Sequence, residues 1–165
     1  MNIDTFWEII ETAKNQGGNA DAISDHVLAR LKGLAAPEIE AFDKHQADLM
    51  RQSYNWKLWG AAYLINGGCS DDGFEYFRGW LFTKGREVFE SAVANPDSLA
   101  SHVDENDEVE CEGFMYIAKE AYKSVAGKEM GHTPARYPEL GEGWDFDDAS
   151  EMSARYPKLW KTFGW

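Results

Sequence analysis

The sequence predicts an all-α fold: one compact domain of about seven helices with an irregular, aromatic C-terminal tail. Three observations favour this fold. Apolar residues recur at helical spacing in most segments, no run alternates as a strand requires, and the chain is apolar enough for a core. Hydrophobic residues make up 44% of the 165 residues and aromatic residues 14%, which excludes a disordered protein.

The first three helices are each predicted by a start or stop signal. The stretch Thr5-Phe6-Trp7-Glu8 resembles a capping box, and the helical pattern that follows it ends at Gly17-Gly18. Asp21 is a candidate N-cap for the second helix. Pro37 has the position of a first-turn proline in the third helix.

The two central helices follow a break near Ser53. Residues Trp56 to Asn66 are apolar on all sides of the helical wheel, so this helix is predicted to be the most buried. Gly67-Gly68 ends it, and the sharp reversal predicts a positive φ at one of these glycines. The next helix is predicted to start at Asp72-Gly73-Phe74-Glu75, a second capping signal.

Two further helices, over 86–94 and 114–125, complete a predicted helical body of residues 1–130. Between them, the acidic segment 104–112 is predicted to be a solvated loop. Residues 131–165 are rich in Pro, Gly and Trp, and they are predicted to form an irregular segment packed on the body. Its principal anchors are expected to be Trp144 and Trp160, because large aromatic side chains offset the cost of ordering a tail.

Composition and charge exclude several classes of protein. The chain has 16 Lys and Arg against 29 Asp and Glu, a formal net charge of -13 that would repel nucleic acid. No stretch reaches the 18 apolar residues of a membrane span, and no basic segment precedes the first apolar residues, so a cytoplasmic location is expected. Cys69 and Cys111 lack metal-ligand spacing, so we predict no disulfide framework, metal or cofactor.

The stretch INGGCSDDGFEYFRGW, residues 65–80, has the highest density of functional chemistry. Just before it, Trp56, Trp59, Tyr63 and Asn66 recur at spacings of three, four and three, which places them on one helical face. These side chains are candidates for one wall of an aromatic ligand pocket. The alternative is that they serve packing, with one hydrogen bond for each indole or phenol group.

Three polar residues of the turn have both a chemical and a structural interpretation. Cys69 lies before a helix amino end, which favours a thiolate nucleophile, but Asp71 and Asp72 oppose ionisation, and a small buried thiol is the preferred interpretation. The two aspartates could bind a cation or act as a carboxylate pair. Helix capping by Asp72 and an ion pair by Asp71 are the structural alternative.

Arg78 is the most unusual residue of this stretch. Its position on the helical wheel lies close to Phe74 and Leu81, so its guanidinium is expected to project along the apolar face. A partly buried arginine requires a carboxylate, for which Asp71 and Asp43 are the candidates. The alternative is an arginine that lies along the surface with its charged group in water.

The segment YNWKLWGAAYLINGGCSDDGFEYFRGWLFTKGREVFE resembles the characteristic segment of a bacterial family catalogued as domain of unknown function 4240. Shorter stretches support the resemblance: FW near the start, AFDKH at 41, GWDFDD at 143 and PKLWKTF at 157. The resemblance implies a single bacterial domain. It implies no activity and no catalytic residue.

Three functional hypotheses follow. The preferred one is a cytoplasmic binding or regulatory module that holds a small molecule or a protein partner at the turn from Asn66 to Arg78, because no catalytic signature is present. The second is an enzyme of unassigned class, such as a hydrolase, that uses Asp71, Asp72 and Arg78. The third is an acidic interaction protein that neutralises a basic partner.

Overall fold

The computed structural model describes residues 1–131 and 136–165. In these ranges the chain is helical and contains no strand, which confirms the predicted all-α class. The α-helices are α1 Ile3–Lys14, α2 Ala20–Leu31, α3 Ala36–Gln52, α4 Trp56–Asn66, α5 Asp71–Thr83, α6 Arg86–Ala94, α7 Ile117–Ala126, α8 Ala149–Arg155 and α9 Trp160–Phe163, and two 3₁₀-helices cover Pro96–Ser101 and Gly113–Met115.

The starts of the first helices differ in detail from the prediction. Asn2 caps α1 and Asn19 caps α2, and each side-chain oxygen accepts a hydrogen bond from the main-chain N–H three residues later. Thr5 and Asp21, the predicted caps, lie inside the first turns, so both predictions are wrong. Pro37 does lie in the first turn of α3, as its fixed φ and missing N–H favour.

The core forms where α1, α2, α3, α5 and α7 meet. The helix α7 packs on α2 and α3, while α1 packs on α2 and α5. Aromatic rings fill the centre, with Phe82 stacked on Phe114 at a centroid distance of 5.1 Å and Phe6 4.5 Å from Phe42. This places α5 at the centre of the protein.

The most buried helix is α5 and not α4, which corrects the prediction. Eight of the 13 residues of α5 are buried, against five of the 11 residues of α4. The reason is that the aromatic residues of α4 lie on an outer face and are only half-buried. Helix α4 is apolar on all sides and is still not fully buried, because the indole and phenol groups of its aromatic residues tolerate contact with water.

The acidic segment 104–112 is held against α5 by its last residues. The N–H of Cys111 donates a 3.0 Å hydrogen bond to the carbonyl oxygen of Tyr76. Gly79 makes this approach possible, because a Cβ at that position would overlap the carbonyl oxygen of Cys111.

The C-terminal segment packs on α4 and on the 3₁₀-helix Pro96–Ser101, and α8 and α9 replace much of the irregular structure predicted there. Its fully buried side chains are Met152, Tyr156 and Leu159. Trp144 and Trp160, the predicted anchors, are only half-buried. Leucine, methionine and tyrosine on the inner faces of short helices therefore anchor this segment.

Two polar contacts fix the C-terminal segment in place. The hydroxyl of Tyr156 donates a 2.6 Å hydrogen bond to the carbonyl oxygen of Lys57 on α4, and Gly60 leaves the room that the tyrosine occupies, since a Cβ there would overlap its oxygen. The buried carboxylate of Asp97 accepts hydrogen bonds from the main-chain N–H groups of Lys158 and Leu159. Among the described helices, none is both long enough and apolar enough to cross a lipid bilayer.

Candidate functional site

The aromatic face of α4 is formed by Trp56, Trp59 and Tyr63, one and two turns apart. The two indole rings stack at a centroid distance of 5.4 Å, and Trp59 stacks in turn on Phe74 of α5 at 4.8 Å and 16°. All three side chains of the face are half-buried. The spacing therefore predicted the shared face correctly, and the face is partly open to solvent.

The turn after α4 reverses the chain through two glycines in conformations that other residues rarely adopt. Gly67 has a φ of 65° and Gly68 a φ of 129°, which confirms the predicted positive φ. The indole N–H of Trp59 donates a 3.0 Å hydrogen bond to the carbonyl oxygen of Cys69. The turn is thus tied to the aromatic face.

The polar residues of the turn do not converge on one point. Asn66, Asp71 and Asp72 are exposed. The cap of α5 is Ser70, whose hydroxyl oxygen accepts a 3.1 Å hydrogen bond from the N–H of Gly73. The prediction that Asp72 is the cap is therefore wrong, and serine, an equally good capping residue two positions earlier, was the missed signal.

Cys69 is a thiol rather than a thiolate at neutral pH. Burial, followed by the negative charge of Glu110, raises the pKa of its thiol to about 11, against a smaller opposing effect of Arg78. A nucleophilic cysteine requires the opposite shift. Cys69 is half-buried rather than buried as predicted, and its raised pKa does not favour a nucleophile.

Arg78 is buried, with 1% of its surface exposed, and it does not form the predicted salt bridge. Its Nε donates to the carbonyl oxygen of Phe74 at 3.2 Å and its Nη1 to that of Met50 at 2.7 Å. In the described part of the chain, neither Asp71 nor Asp43 lies within salt-bridge distance of the guanidinium.

Aromatic rings provide the other surroundings of this cation. The guanidinium carbon of Arg78 lies 4.4 Å from the ring centre of Phe74 and 5.2 Å from those of Tyr54 and Tyr137. Burial lowers the pKa of Arg78, and the neighbouring Tyr137 opposes that shift. The guanidinium is therefore enclosed by rings and main-chain carbonyls, with 1% of the surface of Arg78 exposed.

The aromatic face of α4 is covered by residues 136–148, which we call the strap. The indole N–H of Trp56 donates a 3.0 Å hydrogen bond to the carbonyl oxygen of Gly141. The hydroxyl of Tyr63 donates to Asp147 Oδ1 at 2.6 Å, which raises the pKa of Tyr63. The ring of Phe146 packs between these two residues, 5.9 Å from Trp56 and 5.2 Å from Tyr63.

Sequence reasoning missed the strap as part of this site. The sequence predicts the aromatic residues of this segment as anchors of a tail. No pattern in the sequence indicates that Gly141 and Asp147 lie next to α4. Gly143 lets the strap lie close to the indole of Trp56, because a Cβ at this position would come to 3.0 Å from the ring. The predicted wall of an aromatic pocket is therefore a surface on which an extended segment of the same chain lies.

A second concave surface lies beside the acidic segment, with a volume of about 370 Å³. Asp21, Glu108, Glu110 and Glu112 line it, together with Tyr76, whose hydroxyl donates to Glu112 at 3.2 Å. In residues 1–131 and 136–165, no three His, Cys, Asp or Glu side chains are arranged to hold a metal ion. The acidic side chains of the segment lie at this surface, while Val109 and Cys111 between them are buried.

The family model described as "Protein of unknown function (DUF4240)" matches residues 1–124. The chain belongs to this family. The DUF4240 match includes α4, the glycine turn and α5, so the aromatic face and Arg78 lie within it. The strap, α8 and α9 lie beyond it, as do the stretches at 143 and 157 that support the resemblance in the sequence. Neither a curated protein nor a solved structure matches the chain significantly.

Proposed function

We infer that this DUF4240 protein is a binding module, and that the aromatic face of α4 beside the Asn66–Arg78 turn receives its ligand or protein partner. The partner we propose is an extended segment in which an aromatic side chain stands next to a carboxylate. Binding would replace the strap, so that the strap regulates access to the face.

The observation that carries the proposal is the way the strap lies on the face. Two side-chain donors, Trp56 Nε1 and Tyr63 OH, make hydrogen bonds to the strap, one to a main-chain carbonyl and one to a carboxylate. Phe146 contributes a ring between them. Aromatic side chains with a polar atom at one end are the groups that proteins use most often to bind peptides.

The strap is a suitable competitor because little of it is buried. Between residues 141 and 148, only Trp144 and Phe146 are even half-buried. The buried anchors Met152, Tyr156 and Leu159 come later in the chain. Residues 141–148 of the strap can therefore leave the face while Tyr137 stays against Arg78 and the buried side chains of α8 and α9 keep their places. Trp144 would then give up its contacts with Met152 and Arg155 of α8.

A peptide titration tests this proposal on the full chain. The probe is a fluorescein-labelled peptide of residues 139–149, and the receptor carries Phe146→Ala and Asp147→Ala so that its own strap is loosened. We expect saturable binding by fluorescence anisotropy, with several-fold weaker binding to the wild-type chain. The tethered strap competes there at a high effective concentration.

Two controls make the result specific. A peptide of the same length with alanine in place of its Trp144 and Phe146 should not bind, because it lacks the rings. A receptor that additionally carries Trp56→Ala should bind the original peptide less tightly. Equal binding of both peptides, or no binding to the loosened receptor, would contradict the proposal.

A further inference from the structure

A cleft of about 260 Å³ lies on the other side of α4, between that helix, the 3₁₀-helix Pro96–Ser101 and α8. Its apolar walls are Pro96, Trp144 and Tyr156, and the polar lining includes Asn95. The remaining polar lining consists of two cations, Lys57 and Arg155. Trp144 belongs to the strap, but Trp56, Trp59 and Tyr63 of the aromatic face are not among the residues that line this cleft.

The charge of this cleft is opposite to that of the protein as a whole. The chain has a formal net charge of -13, yet none of the described residues that line the cleft is a carboxylate. Within the described ranges, the ammonium group of Lys57 has no salt-bridge partner. A cationic cleft in an acidic protein attracts small anions and is disfavoured for cations.

Arg155 is held in place with part of its guanidinium available. Its Nε donates to Glu151 Oε2 at 2.9 Å, and its guanidinium carbon lies 3.8 Å from the ring centre of Trp144. In the described part of the chain, neither Nη atom makes a hydrogen bond, so both remain available to an anion. A guanidinium with one edge fixed and the other free is suited to a carboxylate, which accepts two parallel hydrogen bonds.

The size of the cleft sets the size of the ligand. Its volume lies just under the range of about 300–1,000 Å³ that is typical of pockets for drug-sized ligands. A cleft of this size suits a ligand smaller than a typical drug molecule, such as one aromatic ring with a short acidic side chain. The rings of Trp144 and Tyr156 lie beside the two cations and favour a flat apolar group next to the charged group of the ligand.

We propose that this cleft binds a small aromatic carboxylate, with Lys57 and Arg155 contacting the carboxylate and Trp144 and Tyr156 contacting the ring. The same group occurs on a free small acid and at the C terminus of a peptide that ends in an aromatic residue. Both sources present identical chemistry to the cleft.

Nuclear magnetic resonance titration of the full chain tests the proposal. The probe is phenylacetate, the reporter is the indole N–H signal of Trp144, and a Trp144→Phe variant assigns that signal. We expect a saturable shift in the millimolar range. Lys57→Gln and Arg155→Gln should each weaken binding about tenfold or more, because each removes a charged hydrogen-bond donor to the carboxylate. N-acetylglycyl-phenylalanine, as a second probe, distinguishes a peptide terminus from a free acid.

Matched controls separate this site from a general charge effect. Phenylacetamide has the same shape without the charge and should bind at least tenfold more weakly. Lys119→Gln removes the same charge from α7, outside the cleft, and should leave the affinity unchanged. The proposal is overturned if neither probe gives a saturable shift, if phenylacetamide binds as well as phenylacetate, or if Lys57→Gln and Arg155→Gln bind like the wild type.

Discussion

Arg78 donates a 2.7 Å hydrogen bond from Nη1 to the main-chain carbonyl oxygen of Met50, which joins α5 to the last turn of α3. The last carbonyl oxygens of a helix have no partner within the helix and carry its partial negative charge. Ser53 donates to the same oxygen through its hydroxyl. The sequence predicted that a carboxylate would stabilise this buried cation. The C-terminal end of α3 and three aromatic rings stabilise it instead.

Replacing Arg78 should destabilise the fold strongly. Arg78→Ala is expected to lower the free energy of unfolding by about 2–5 kcal/mol, because it leaves a cavity and removes two hydrogen bonds. Arg78→Met fills most of the volume and should lose less. Arg86→Ala is the matched control, since its salt bridges to Asp4 and Glu90 are exposed and should contribute under about 1 kcal/mol. Urea unfolding measures all three, and equal losses for Arg78→Ala and Arg86→Ala would contradict this account.

The capping residue of α5 can be tested by two single substitutions. Ser70→Ala should lower the free energy of unfolding by about 1 kcal/mol, since it removes the acceptor for the N–H of Gly73. Asp72→Ala should cost only a few tenths of a kcal/mol, roughly the favourable effect of one exposed charge near a helix amino end. Chemical denaturation of both variants gives the comparison. A larger loss for Asp72→Ala would show that the sequence-based assignment of the cap was right.

The C-terminal segment should contribute to stability through its small helices. Leu159→Ala is expected to lower the free energy of unfolding by about 2–5 kcal/mol, because its side chain is fully buried. Trp165→Ala removes a larger side chain that is 59% exposed, and it should change stability by no more than about 0.5 kcal/mol. Thermal unfolding of the two variants tests this. Equal melting temperatures would mean that the segment is not part of the cooperative fold.

The two cysteines should make the protein less stable at alkaline pH. Burial raises the pKa of both Cys69 and Cys111 from 9.0 to about 11. Between these values the unfolded chain loses the thiol protons while the folded chain keeps them, so stability present below pH 9 is lost as the pH rises to 11.

Tyrosines also ionise in this pH range and change the stability of the protein. The measurement therefore compares the wild type with a variant that lacks both thiols. The double variant Cys69→Ala, Cys111→Ala should show a smaller decline in the urea midpoint than the wild type between pH 9 and 11. Identical declines would mean that the thiols ionise equally easily in the folded and unfolded chains.

Local patterns in the sequence predicted helices α1 to α7, but not α8 and α9, and they predicted the shared face of Trp56, Trp59 and Tyr63, because both depend on spacing within one element. The positive φ of Gly67 was predictable for the same reason. Contacts between distant segments were not. The partner of Arg78 proved to be a main-chain carbonyl of another helix, and a main-chain acceptor has no signature in the sequence. The register of the strap on α4 depends on three-dimensional packing that residue spacing does not contain.

Gly60 and Tyr156 fit together so closely that a side chain at position 60 would displace the tyrosine. The tyrosine hydroxyl fills the space that a side chain at position 60 would need, and it bonds to α4 at Lys57. Gly60 lies inside the region shared with the family, whereas Tyr156 lies beyond it. A relative without the C-terminal segment would be free to carry a bulkier residue at position 60. If glycine at position 60 occurs together with tyrosine at position 156 across the family, the residue at position 60 would indicate which members have this segment.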